Sequence, residues 1–411
     1  MKLAIICDDY LPDSTRVGAK MLHELAKELI LQGHQPVVIT PKSFTFPFKK
    51  YEKKIDEVTI WRFWSGKIKD TGSIRRAINE SFLSFFAWQQ IKLQLKKNTF
   101  DGIIYYSPSI FFGPLVAKLK KYFKCRSYLI LRDFFPQWAV DANLIKNNSL
   151  IHRYFRFFES LSYKNADMIG VMSHGNLKIF NHKTNNRFKV QVLRNWANTE
   201  PEDIYNKRDL REILNLKNKI IFFYGGNIGR SQDMKNLMRL ANRMKKFRNA
   251  HFLFVGQGDE VNLINQLAVK WKLKNFSYLA SVTQDEYRSI LTQVDIGLFS
   301  LSAKHTSHNF PGKLLGYMSY SLPILGSVNK GNDLINLLTD NNAGYITVNG
   351  DDDLFFQNAV KLLFSLELRN EIGLAGKELL HKEFNVSRIA GIITNSLQGL
   401  EPPSNKININ N

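Results

Sequence analysis

Residues 219–229 read KIIFFYGGNIG, an apolar run that ends abruptly in two glycines, with a third glycine three residues on. A short apolar segment meeting a glycine-rich turn, then a helix-period stretch such as MKNLMRLANRMKKF at 234–247, is the strand–turn–helix step of an open α/β sheet. HFLFVGQGD at 251–259 repeats the step, and FSYLA at 276–280, IGLFSL at 296–301 and LPILGS at 322–327 read as further strands.

The first half of the chain has the same grammar. KLAIIC (2–7) is a strand, DDYLPDSTRVGAK (8–20) a loop, MLHELAKELILQG (21–33) an amphipathic helix stopped by Gly33, and QPVVIT (35–40) the next strand. DGIIYYS, RSYLILRD, DMIGVMS and KVQVLRN supply more strands, most separated by helical segments, which implies a mainly parallel sheet. The expected fold is therefore α/β, two tandem Rossmann-like domains with a cleft between them. The domains are expected at 1–198 and 199–375, with a turn-rich linker near 199–217, a helix at 376–400 and a disordered tail at 401–411.

Composition narrows the setting. At 411 residues and 44% hydrophobic content the chain is long enough for two cores and too apolar for a disordered protein. Cys7 and Cys125 cannot form a disulfide framework and stand in no metal-type cluster, so a reducing, cytoplasmic setting is expected. The first apolar run meets Asp8 and Asp9 after six residues, too short for a secretory core, and GIIYYSPSIFFGPLVAKL (102–119) is broken before spanning length.

The net charge of +21 is uneven, with +16 in residues 1–200 and +5 in 201–411. Residues 61–97 hold eight Lys/Arg against two acids, interleaved with Trp61, Phe63, Trp64, Phe82, Phe85, Phe86 and Trp88. That mixture favours an anionic membrane surface. A helical hairpin that turns its rings into its own core is the plain alternative. No nucleic-acid-binding module is recognisable, so nucleic acid is not an expected partner.

Four places put glycine at strand ends or helix starts: Val17-Gly18, Gly225-Gly226 with Gly229, Gly256 with Gly258, and Pro311-Gly312-Lys313. None is a GxGxxG fingerprint with a ribose acid, and no GxxxxGK[ST] loop occurs. Such turns still cradle a nucleotide diphosphate with backbone N–H groups when a cation offsets its charge. Lys313 and Arg230 are the candidate cations, and a solvated connector lysine is the plain alternative for Lys313. Asp351 to Asp353 read as a helix N-terminal cap. His23, His34 and His182 lack metal spacing and read as packing or surface residues.

The stretches DDYLPDSTRVGAKMLHELAKEL, GGNIGRSQDMKNLMRLA, FVGQGDE and FPGKLLGYMSYSLPILGS resemble the retaining glycosyltransferases of the GT-B fold, family 4. RDFFPQWAVDANLI, VMSHGNLKIF and RNWAN look most like the bacterial branch that builds O-antigen and capsule, including L-fucosamine transferases. The resemblance implies a carboxy-terminal domain for the nucleotide sugar and an amino-terminal domain for a polyprenyl-diphosphate-linked glycan acceptor, with the 376–400 helix packing back on the latter. It also implies a peripheral enzyme on the inner face of the cell membrane.

In that light the donor-binding set is Gly18, Gly226, Asn227, Arg230, Gly256, Gly258, Pro311, Gly312 and Lys313, and Asp133, Arg132 and Lys313 are the catalytic candidates. Gly18 is read either as admitting a donor phosphate or as a helix-packing glycine. The family's Glu-x7-Glu falls on His308 and Gly316, so the ribose contact is expected from Asn332 or Asp333. The usual phosphate-neutralising pair falls near Asn227 and Gln232, and a common histidine is replaced near Arg132. Asp133 orients or deprotonates the acceptor hydroxyl, or stabilises its loop. Asp8 and Asp9, and Arg194 and Asn195, line the cleft or hold local loops. UDP is the expected nucleotide, with no cofactor or metal. A UDP-sugar 2-epimerase of the same fold and a non-catalytic membrane-associated subunit are the alternatives.

Overall fold

The computed structural model describes residues 1–14, 16–42, 51–69, 71–95, 99–141, 144–197, 199, 209–303 and 310–400. It divides into two units, 1–196 with the segment from Val386 onward, and Ala197–Asn385. The expected boundary at 375 falls inside a helix of the second unit, and the chain returns to the first unit at Val386. The 401–411 tail and His308 lie outside the described residues.

The first unit carries β1 (Lys2–Ile6), α1 (Val17–Leu31), β2 (Gln35–Lys42), β3 (Tyr51–Ile55), β4 (Val58–Trp64), α2 (Ser73–Ser81), α3 (Leu83–Ile91), β5 (Gly102–Ser107), α4 (Gly113–Phe123), β6 (Arg126–Leu131), α5 (Gln137–Asp141), α6 (Leu150–Lys164), β7 (Met168–Val171), α7 (His174–Thr184) and β8 (Val190–Val192). The sheet order is β3-β4-β2-β1-β5-β6-β7-β8, parallel except for the β3–β4 hairpin. β1 is apolar almost throughout because both faces of a parallel sheet are covered. The order reverses at β1, so the carboxyl ends of β1 and β5 form the switch point where such sheets take ligands.

The hairpin corrects the reading of 61–97. VTIWRFW is strand β4, not helix, turned at Asp56 and Glu57 with positive φ of 44° and 64°. Phe63 is fully buried, and Trp61, Phe86 and Trp88 pack against the same core, so most of those rings serve packing. Only Phe82 and Phe85 among them are exposed.

The second unit carries α8 (Leu210–Ile213), β9 (Ile220–Asn227), α9 (Met234–Met244), β10 (Ala250–Gln257), α10 (Val261–Lys270), β11 (Phe276–Leu279), α11 (Gln284–Leu291), β12 (Ile296–Ser300), α12 (Lys313–Ser319), β13 (Ile324–Val328), α13 (Leu334–Thr339), β14 (Gly344–Val348), α14 (Asp352–Phe364) and α15 (Leu366–Glu383). Its sheet is parallel throughout, in the order β11-β10-β9-β12-β13-β14. The loops after β9, β10, β12 and β13 therefore all open at one edge, and the order reverses between β9 and β12. α9 buries Met234, Leu237, Met238, Leu240, Ala241 and Met244 on one side, the 3.6-residue period visible in the sequence. Asp351 caps α14 by accepting from Leu354 N at 3.1 Å, as its place in the sequence suggests. The last helix, α16 (Val386–Gln398), packs on α1 and β6 of the first unit.

Candidate functional site

Three of the four glycine positions meet at one place. β9 ends in Gly225-Gly226-Asn227, and β10, its parallel neighbour, pairs Gly256 with Gly226. A Cβ on Gly256 would stand 1.8 Å from the Gly226 carbonyl oxygen, and φ of 153° is itself a glycine conformation, so the two turns approach as closely as backbones allow. Asn227 Nδ2 donates to Gln232 Oε1 at 2.9 Å, and Gly258 sits against the Ile228 carbonyl.

α12 closes this corner from above. Lys313 and Tyr317 are one turn apart on the same helix face. The Tyr317 hydroxyl donates to the Leu298 carbonyl at 3.1 Å and accepts from Gly225 N at 3.2 Å, which fixes α12 to the end of β9. Lys313 then lays its Nζ 3.4 Å from the centre of the Tyr224 ring and 3.7 Å from where a Cβ on Gly226 would lie. Although the residue keeps some exposure along its chain, the Nζ itself is buried and has no hydrogen-bond partner among the described residues. Burial holds its pKa well below the usual lysine value. The plain reading of a solvated connector lysine is thereby overturned. α12 has only seven residues, so the anchoring of Lys313 and not a long helix dipole characterises this corner.

The other second-unit candidates differ. Pro311 is half-buried and Gly312 exposed, both directly before α12. Arg230 is 85% exposed in its side chain and pairs with Asp259 at 3.3 Å, whose carboxylate also accepts from Arg230 N. The candidate cation thus shares its charge with Asp259 at the surface, unlike the buried Lys313 Nζ. Asn332 is buried, donating to Asn329 Oδ1 at 2.9 Å and accepting from Leu334 N at 3.0 Å. Its side chain holds its own loop, which leaves Asp333 as the more accessible of the two expected ribose partners. Gly316, at the position of the absent glutamate, has only Leu291 Cδ1, at 3.6 Å, near a built Cβ.

Residues 218–365, which contain this whole corner, match the family model described as glycosyl transferases group 1. A structure of trehalose-6-phosphate from Escherichia coli bound with UDP-2-fluoro glucose superposes over 98% of this chain and 100% of that one, at TM-score 0.72 and 12% identity. The chain has the two-domain GT-B fold, and its second unit carries the glycosyl transferases group 1 match. It is 26% identical over 220 residues to the probable glycosyltransferase WbjE of Pseudomonas aeruginosa, which covers 53% of this chain and 54% of that protein, about half of each. It is 22% identical over 338 residues to the putative colanic acid biosynthesis glycosyl transferase WcaI of Escherichia coli (strain K12), covering 78% of this chain and 81% of that protein.

In the first unit, Arg132 is turned inward. It donates to the carbonyls of Leu193 at 2.7 Å and Arg194 at 3.2 Å and lies over the Trp196 ring at 4.9 Å. Burial lowers its pKa to about 10, with Tyr106, Tyr128 and Asp133 opposing. A guanidinium so engaged ties the end of β6 to the segment after β8, which corrects its assignment as a catalytic group. Asp133 is exposed at the surface yet crowded by its neighbours. Desolvation raises its carboxyl pKa, with Arg132 pulling the other way.

Gly18 lies beside Tyr106, whose hydroxyl a Cβ at that position would meet at 3.1 Å. Tyr106, at the carboxyl end of β5, is the residue that sequence reading missed. Its pKa is pushed up to about 12, first by burial, while Asp133 and Asp8 raise it and Arg132 lowers it, so all of these sit within electrostatic reach of one another. Asp8 is buried against Lys69 Nζ at 2.7 Å, and Asp9 accepts from Ser14 at 2.7 Å within its own loop. His23 bridges Tyr10 at 2.8 Å and Asp56 at 3.0 Å, a packing role. His34 meets the amino terminus at 3.2 Å, and His182 lies in the last turn of α7. Among the described residues no helix is long and apolar enough to cross a membrane.

Proposed function

We propose that this chain transfers a sugar, an N-acetylated hexosamine or 6-deoxyhexosamine, from a UDP-sugar to a polyprenyl-diphosphate-linked glycan. The transfer retains anomeric configuration and serves O-antigen or capsule assembly at the inner face of the cell membrane. The observation that carries the reading is the buried Lys313 Nζ, without a hydrogen-bond partner among the described residues and close to the glycine turn of β9. A cation held without an anion beside bare backbone is a costly arrangement for a free protein, and a diphosphate relieves it. The UDP-2-fluoro glucose of the superposing structure and the colanic acid role named for WcaI favour a UDP donor and a surface-glycan product.

The chemistry follows from where charge develops. As the anomeric bond breaks, the sugar becomes oxocarbenium-like and the nucleotide diphosphate gains negative charge. Lys313 and the backbone of the Gly226-Asn227 turn are preorganised for that charge, so they stabilise the transition state more than the bound donor. Asp133, with its raised pKa, takes the acceptor's hydroxyl proton. Neither a metal nor a cofactor is needed for these steps. The test is mass spectrometry of a lipid-linked glycan incubated with a panel of UDP- and GDP-sugars. One added hexosamine from one UDP-sugar, with NMR reporting the donor's anomeric configuration, supports the reading, and no addition from any UDP-sugar, or inversion, overturns it.

A further inference from the structure

Helix α6 carries apolar residues on its outward face as well as its inward one. Its buried side holds Glu159 and His152, whereas its exposed side carries Leu150 at 83%, Ile151 at 60% and Phe157 at 59% exposure, with Tyr154 between them. Leu150, Tyr154 and Phe157 recur at four- and three-residue spacing, one outward stripe. The stripe does not stand alone. The Tyr154 hydroxyl donates to Ser81 Oγ at the α2–α3 corner, and Phe155 and Phe158 both meet the Phe111 ring beneath. Exposed Phe82 and Phe85 of that corner thus adjoin the stripe, making one apolar surface from two separate parts of the chain.

Charge on these helices is one-sided. The acids of α2, α3 and α6 are Glu80 and Glu159, and both are buried, with raised pKa values caused first by desolvation. The exposed charged residues are Arg75, Arg76, Arg153, Arg156 and Lys164, all cations. Arg76 and Arg156 pair with the two buried acids, and Arg75 and Arg153 have no ionic partner among the described residues. An outward apolar stripe rimmed by unpaired arginines is matched by a surface that is apolar inside and anionic outside.

We infer that the exposed face of α6 together with the α2–α3 corner is the surface by which this protein docks on anionic lipid bilayer, its rings entering the headgroup layer and its arginines meeting lipid phosphates. The inference rests on the reading of a lipid-linked acceptor, and it names the part of the chain that reaches that lipid.

The experiment is flotation of the full chain with vesicles of phosphatidylcholine alone or mixed with phosphatidylglycerol. Strong flotation with the anionic vesicles only is expected. Leu150→Gln with Phe157→Gln should weaken it at least about tenfold, and Arg75→Gln and Arg153→Gln about fivefold each, all with unchanged melting temperature. No flotation of the wild-type chain, equal flotation with neutral vesicles, or undiminished flotation of the folded variants overturns the inference. So does a dimer, seen by sedimentation without lipid and dissolved by the same substitutions, which assigns the face to a second copy. Transfer to a detergent-dispersed lipid-linked acceptor is measured alongside. Loss of vesicle binding with intact transfer refutes only the surface's necessity for catalysis, and intact vesicle binding without transfer to any acceptor refutes the function and not the surface.

Discussion

Replacing Lys313 by methionine keeps the length and removes the charge, and it should have opposite effects on the free and the nucleotide-bound protein. In the free protein the Nζ is buried without a hydrogen bond among the described residues, and it lies 3.4 Å from the centre of the Tyr224 ring. An unsatisfied buried polar group costs about 1–3 kcal/mol. A cation over a desolvated ring returns up to about 2 kcal/mol. The variant is therefore expected to be as stable as the wild type or about 1 kcal/mol more stable. UDP binding should weaken by about 1.5–3 kcal/mol, the worth of a hydrogen bond to a charged group, or roughly 10- to 150-fold.

A second signature separates this from a structural lysine. The depressed pKa means that the folded protein holds fewer protons at Lys313 than the unfolded chain as pH rises through the folded value toward the usual one. Stability therefore rises with pH across that window. A bound diphosphate raises the same pKa, so UDP binding near the folded value takes up protons. Calorimetry in two buffers of different ionisation enthalpy measures that uptake. Uptake by wild type and none by Lys313→Met supports the reasoning. A variant that loses stability, or binds UDP as wild type does with the same proton count, refutes it.

Other outcomes follow from the same geometry. Tyr317→Phe removes the hydroxyl that holds Gly225 N and should cost about 1–2 kcal/mol of stability and raise KM for the donor more than it lowers kcat, as checked by melting and steady-state kinetics. Gly256→Val, forced onto the Gly226 carbonyl at a positive φ, should abolish nucleotide binding before it abolishes folding of the first unit, read by UDP titration and limited proteolysis. Asp133→Asn should cut kcat about 100-fold or more without weakening UDP binding, and the acid limb of the wild-type kcat/KM profile should lie above the ordinary aspartate range. Burial lowers the His251 pKa from 6.5 to about 4, so the folded state carries a neutral ring. Stability should fall as pH drops through that interval, by at most about 3 kcal/mol, and His251→Gln should flatten the slope of urea midpoints against pH.

What the sequence disclosed was local. A strand running into glycines is a short-range signal, and Gly225-Gly226 and Gly256 both stand where the strand pattern puts them. The Asp351 cap was legible for the same reason. Lys313 was visible as a cation beside Pro-Gly, but its burial depends on Tyr224, eighty-nine positions earlier in the chain by their numbering, and no local pattern encodes that contact. Arg132 looks like a strand-end cation in RDFFP, and only the carbonyls of Leu193 and Arg194 reveal that it is spent on structure.

In the stretch 61–97, rings among cations describe a hidden face and an exposed one equally well, so Phe63, which is buried, and Phe82 and Phe85, which are exposed, look alike in the sequence. β4 took Phe63 inward by alternation, while the outward apolar stripe lay on α6, where an apolar period is ordinarily read as a buried face. The Asp56-Glu57 turn lacks the glycine that usually marks a hairpin, and so β3 and β4 escaped the reading.

The central claim is that a nucleotide diphosphate completes the corner formed by Gly225–Asn227, Gly256 and Lys313. A crystal structure of the protein soaked with UDP tests it most directly. The account expects diphosphate oxygens within hydrogen-bonding distance of Lys313 Nζ and of the β9 turn amides, about 3 Å. A nucleotide seated in the first unit, or a second-unit nucleotide whose phosphates leave Lys313 unpartnered, would contradict it.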